Sequence, residues 1–156
     1  MPETLQSILI GAVAGIASAI LTYFSTRAKI RLDLAAEYDK KLQEERLSVY
    51  KELWGMLEPL SRYGREKEIT HALLTEISNQ TRRWYFQTGG IYLTELSREP
   101  YFNWKKALQK LLDDENLSAQ PEKAIEESRL ENVISAGSRL RTSLSDDIGT
   151  KRLSRL

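Results

Sequence analysis

Residues 47–60 read LSVYKELWGMLEPL, and the reading of this stretch decides the fold class. Val49, Leu53, Met56, Leu57 and Leu60 recur at three- and four-residue spacing, with Tyr50 and Trp54 beside them. That spacing places one broad apolar face along an α-helix. Pro59 is expected to kink or end the helix nearby, and Gly64 is a candidate C-terminal cap.

Toward the N-terminus the face narrows. From Ile30 to about Arg46 charges alternate in sign, and only Leu34, Tyr38 and Leu42 keep four-residue spacing, which predicts a solvated helical stalk. A coiled coil in the register of Leu42, Val49, Leu53, Met56 and Leu60 would put Asp39 and Arg46 in its seam, which weakens that assignment.

Further out, Leu5 to Phe24 reads LQSILIGAVAGIASAILTYF, a run without a charge. A helix needs about 20 apolar residues to cross the hydrocarbon layer, so the run is read as a transmembrane anchor. A signal peptide would carry its basic residues before the run and a shorter apolar core of roughly 7–15 residues. Here Arg27, Lys29 and Arg31 follow it, and Met1 to Thr4 offers only Glu3. Retention of Lys and Arg in the cytoplasm then predicts a single-pass protein of the cell (inner) membrane, N-terminus outside and C-terminal domain cytoplasmic. Gly11, Gly15 and Ala19 form a small-residue stripe that could pack against another membrane helix.

Toward the C-terminus, Thr70 is the expected N-cap of a second helix reaching about Phe86 and burying Leu73, Leu74, Ile77 and Trp84. Gly89-Gly90 stops it, and Ile91-Tyr92-Leu93 is read as an extended connection. A third helix begins near Thr94 or Ser97 with Pro100 in its first turn, and Tyr101, Trp104, Leu108 and Leu111 share its face. Asp113 to Asn116 marks its exit. Pro121 signals a fresh start, and Ile125, Val133, Gly137, Leu140 and Leu144 stripe the fourth helix, with Gly149 as its cap. The expected architecture is all-α: an N-terminal transmembrane helix continuing into a helical stalk and an antiparallel four-helix bundle. Its divisions are 1–25 anchor, 26–46 charged stalk, 47–149 helical bundle and 150–156 basic flexible tail.

Composition narrows the function. The 23 Lys and Arg nearly balance 22 Asp and Glu, for a net charge of +1, which gives no electrostatic case for nucleic acid. Cysteine is absent, so no disulfide framework or thiolate zinc site exists. His71 is the single histidine, without the partners a metal site or general base needs, and it is read as an ordinary exposed residue. Glu68 precedes it by three residues, but the di-iron bundle motif comes in duplicate. Glu126 and Glu127 read as solvated, and Gly89-Gly90 lacks a phosphate-loop context. No catalytic, metal or cofactor-binding residue is identified, and neither a cofactor nor a small-molecule substrate is expected.

Two stretches stand out. Residues 82–93, RRWYFQTGGIYL, carry three consecutive aromatics that cannot all face one core. Trp84, Tyr85, Phe86, Gly89, Gly90 and Tyr92 therefore form a candidate partner surface, the alternative being a corner of the core. Residues 138–149, SRLRTSLSDDIG, mix Arg, hydroxyls and Asp at a helix end. Arg139 and Arg141 there join the candidate surface; they could pair with Asp146 or first-helix carboxylates, or face anionic lipid.

The segments Arg46–Trp54, Trp84–Gly90 and Leu140–Leu144 resemble a group of uncharacterised bacterial single-span membrane proteins with a cytoplasmic helical domain. The resemblance implies architecture and no activity. The functional expectation is a membrane-anchored, non-catalytic interaction or scaffold protein whose partners are the lipid bilayer and a protein partner or homo-oligomer. The alternatives are an oligomeric membrane effector or accessory subunit of a membrane complex, and an enzyme with a carboxylate site in the bundle.

Overall fold

The computed structural model describes residues 2–62 and 68–149, with side-chain environments from Ser18 onward. The described chain is all-helical, with no strands. Its helices are α1 (Pro2–Met56), α2 (His71–Gln87), α3 (Glu95–Leu112), the short α4 (Glu115–Ser118) and α5 (Glu127–Asp147). The chain divides into two compact units, Met1–Gln43 and Glu44–Leu156.

The first unit holds only the leading part of α1. Its described side chains from Ser18 to Lys41 are exposed, Ala19, Arg27, Lys29 and Arg31 among them. Gly11 and Gly15 of the small-residue stripe lie outside the described side chains. Among the described residues no helix is long and apolar enough to cross a membrane. The apolar run Leu5–Phe24 lies outside that description as far as Ala17.

The second unit has a single core. Val49, Tyr50, Leu53 and Leu57 from α1 meet Leu74, Ile77 and Trp84 of α2, Tyr101, Trp104 and Leu108 of α3, and Leu130, Val133, Leu140 and Leu144 of α5. Each set recurs at three- or four-residue spacing, so burying one stripe of each helix removes most of the unit's large apolar side chains from water. Contacts between α3 and α5 pair residues in opposite order, Ser97 with Asp147 and Trp104 with Gly137, and Asp114 just beyond α3 pairs with Arg129 near the start of α5. Those between α2 and α3 do the same, with Thr81 against Tyr101 and His71 against Leu112.

Helix ends follow their local chemistry. Thr70 caps α2 as expected, its hydroxyl accepting from the Leu73 amide at 3.2 Å. Beyond α1, Pro59 sits in a short 3-10 turn, Glu58–Leu60, where its missing N–H is harmless. Gly64 lies outside the described residues. Gly149 has φ 78°, the left-handed geometry that closes α5 and favours glycine.

Four local expectations are corrected. Ile91-Tyr92-Leu93 is not extended: Gly89–Ile91 makes a 3-10 turn, with the Tyr92 and Leu93 amides both donating to the Gly89 carbonyl. Pro100 lies in the second turn of α3, since the helix starts at Glu95; the carbonyl four residues earlier belongs to the exposed Leu96, where water can replace the lost donor. Pro121 starts no helix. The Pro121 carbonyl accepts from the Ala72 amide at 3.0 Å, and the Ile125 amide donates to Ile69 at 2.8 Å. The chain there is held against the entry to α2, so the buried Ile125 precedes α5 instead of striping it. His71 is half-buried rather than exposed, its Nε2 standing 3.2 Å from the Leu112 carbonyl at the end of α3.

Candidate functional site

The sequence of α5 builds two faces. Leu130, Val133, Gly137, Leu140 and Leu144 are buried, and a beta carbon on Gly137 would lie 3.5 Å from the Trp104 indole nitrogen. Beside this stripe run Ser135, Ser138 and Thr142, short hydroxyl side chains at helical spacing that leave room over the helix. They form one wall of a groove of about 960 Å³ whose other wall is Trp54 and Gly55 at the end of α1 with Glu58 of the turn that follows. Gly55 contributes openness, for nothing lies within 4 Å of where its beta carbon would be.

Trp54 is 46% exposed, although its neighbours Leu53 and Leu57 are fully buried. Arginines frame the groove. Arg141 donates from Nη1 to the Leu57 carbonyl at 3.1 Å, tying α5 to the end of α1, and burial lowers the pKa of its guanidinium. Arg139 is exposed and donates to Ser135 Oγ at 3.0 Å. Arg62 pairs with Glu131 at 2.5 Å, both side chains more than half exposed, so this pair contributes little stability. Asp146 lines the same groove. An apolar plane, hydroxyls and charges of both signs suit an amphipathic protein segment.

A hydroxyl network fixes one end of the unit. Asp147 Oδ2 accepts from Tyr50 at 2.6 Å and from Thr94 and Ser97 at 2.8 Å each. One carboxylate thereby joins α1, the α2–α3 connection and both α3 and α5. Burial is the main reason the Tyr50 phenol is pushed up to about 12, reinforced by its hydrogen bond to Asp147.

The structure distributes the sequence-derived candidates. Trp84 is 3% exposed and donates from Nε1 to the Val49 carbonyl at 3.2 Å. Gly89 is buried beneath it, and a beta carbon there would meet the indole at 2.2 Å. Tyr85 is half-buried, stacked on Tyr101 with 5.2 Å between ring centroids. Gly90 allows the turn to pass 2.6 Å from the Tyr85 carbonyl, measured to its would-be beta carbon. The Tyr92 carbonyl accepts from Tyr50, and Phe86 alone of the aromatic triplet is mostly exposed, at 76%. Arg139 and Arg141 belong instead to the α1/α5 groove. Sequence reasoning passed over Trp54, Glu58, Arg62 and Ser135 as site residues; the three-and-four spacing of Ser135, Ser138 and Thr142 is the signal that could have found that wall. Among the described residues no group of three or more His, Asp or Glu could hold a metal ion.

Comparison of the chain with protein-family models, curated proteins and solved structures finds no match.

Proposed function

We propose that this chain is a membrane-anchored, non-catalytic interaction protein. In this reading Leu5–Phe24 spans the bilayer, Arg27, Lys29 and Arg31 hold the following chain on the cytoplasmic side, and residues 47–149 form an antiparallel four-helix bundle. The bundle binds a protein partner, or further copies of the chain, through the α1/α5 groove. The observation that carries the proposal is Trp54, an indole left 46% exposed beside hydroxyls and arginines on a wall whose other large apolar residues are buried. Trp and Arg in a partly desolvated recess are the residue types that dominate protein interfaces. The pairing of Arg141 with the end of α1 supports the reading, because a wall fixed before contact spares a partner part of the ordering cost.

The test is a photo-crosslinking residue at position 54 or 139 of the full chain in native membranes. A defined adduct from both positions, absent when the residue stands at Asn132 on the exposed side of α5, is expected. A strictly monomeric, partnerless species from every position would sink the proposal.

A further inference from the structure

Charge is balanced over the chain but not over its surface. Residues 77–87 of α2 and 100–112 of α3 contain Arg82, Arg83, Lys105, Lys106 and Lys110 and no acidic residue. The two segments lie side by side: Lys105 Nζ donates to the Ser78 hydroxyl at 2.9 Å and carbonyl at 3.1 Å, and Tyr85 meets Phe102 at 5.5 Å between centroids. Glu76 and Glu99 stand at the two ends of this face, and Glu76 is taken up by Gln80. Arg82, Arg83 and Lys106 have no carboxylate partner among the described residues. Lys105 shows the crowding, since burial first and the charge of Arg82 second lower its pKa.

Phenyl rings rise from this basic ground. Phe86 is 76% and Phe102 42% exposed, both in edge contact with Tyr85, which is itself stacked on the buried Tyr101. Phe86 also borders a short groove with Asn79, Arg82, Arg83 and Gln87. Unpaired cations around exposed aromatics, with no acid among them, match a headgroup layer in both respects: phosphates attract the cations, and the layer beneath takes the rings.

We propose that the α2/α3 face, through Arg82, Arg83, Lys105 and Lys106 with Phe86 and Phe102, docks on the anionic surface of a bilayer. The proposal rests on the anchored reading above for the identity of that bilayer. An acidic protein segment would satisfy the cations, but nothing at the face supplies a recess for its side chains beyond the short groove. A nucleic acid would likewise need a longer basic track than two turns of α2.

The absence of cysteine allows a clean test, because a single introduced thiol is the only one in the chain. Full-length Gln87→Cys and Asn132→Cys proteins carry a nitroxide and are reconstituted into vesicles of neutral phosphatidylcholine, with or without phosphatidylglycerol. The label at 87 is expected to lose access to a water-soluble relaxation agent only with phosphatidylglycerol, while the label at 132 stays accessible. Each cation near an anionic surface is worth about fivefold in partition, so Arg82→Gln with Arg83→Gln should lower the docked-to-free ratio about 30-fold. Equal accessibility of the 87 label in both lipids would overturn the proposal. Protection by a single-stranded oligonucleotide but not by phosphatidylglycerol would overturn it as well. Retention of the protein on neutral vesicles at alkaline pH reports the anchor separately, so loss of one property is distinguishable from loss of the other.

Discussion

The hydroxyl of Tyr50 lies 2.6 Å from Asp147 Oδ2, joining residues 97 positions apart at one end of the second unit. The same oxygen takes hydrogen bonds from Thr94 and Ser97, so three hydroxyls depend on one carboxylate. Asp147→Ala removes the shared acceptor, leaving Tyr50 to the Tyr92 carbonyl at 3.0 Å and Ser97 to the Thr94 carbonyl at 3.5 Å, and is expected to cost about 2–3 kcal/mol. Tyr50→Phe leaves two donors in place and should cost about half as much. Urea unfolding followed by tryptophan fluorescence checks both, and equal midpoints for Asp147→Ala and the parent would count against the network.

Alkaline pH should act on the same residue. The Tyr50 phenol rises from 10.0 to about 12 on folding, chiefly through burial and next through Asp147. A group whose folded pKa is raised contributes stability that is fully present below the unfolded value and is lost as pH climbs through the folded one. The urea midpoint is therefore expected to fall between pH 10 and 12, less steeply in Tyr50→Phe. Burial also raises the Tyr101 phenol, whose hydroxyl donates to the Thr81 carbonyl. Ultraviolet titration should show both phenolates forming only above the ordinary tyrosine range.

Two glycines should answer oppositely to the same substitution. Gly89 is required by space, not by backbone angle, because the Trp84 ring occupies the place of a beta carbon. Gly89→Ala must displace the indole or the turn and is expected to cost about 1–3 kcal/mol. Gly55 lies in the last turn of α1 facing open space, so Gly55→Ala should stabilise by up to about 0.5 kcal/mol through helix propensity. Thermal melts of the two variants give the comparison.

What the sequence made legible was periodic or local. The stripes of α1, α2 and α3, the Thr70 cap and the closing Gly149 follow from spacing and from single-residue chemistry. Of the aromatic triplet, spacing predicts a buried Trp84, whereas the exposure of Phe86 comes only from the packing. The segment around Pro121 was misread because proline marks turns as readily as helix starts; the backbone bonds to Ile69 and Ala72 that hold it come from residues some 50 positions away. The Asp147 network left no trace in periodicity, since Thr94, Ser97 and Asp147 are ordinary helix-end residues taken singly. Trp54 reads as core from its spacing, and only the packing of α5 shows that it faces a groove.

The groove can be separated from the fold by substitution at its rim. Arg139→Glu changes an exposed side chain and is expected to shift stability by less than about 1 kcal/mol, whereas Trp54→Ala also removes the covered half of the indole and should cost about 1–3 kcal/mol. Both should reduce partner cross-linking from position 138 severalfold. Arg141→Ala should do more to the fold, because it frees the end of α1 from α5. Unfolding curves read beside cross-linking yields separate the two effects.

The proposal that Leu5–Phe24 holds the chain in a bilayer is tested by alkaline carbonate extraction of membranes bearing the full-length protein. The protein is expected to stay in the membrane pellet, and to move to the supernatant when Gly11, Gly15 and Ala19 are all replaced by Asp, which breaks the apolar run. Complete release of the unaltered chain into the supernatant would contradict it.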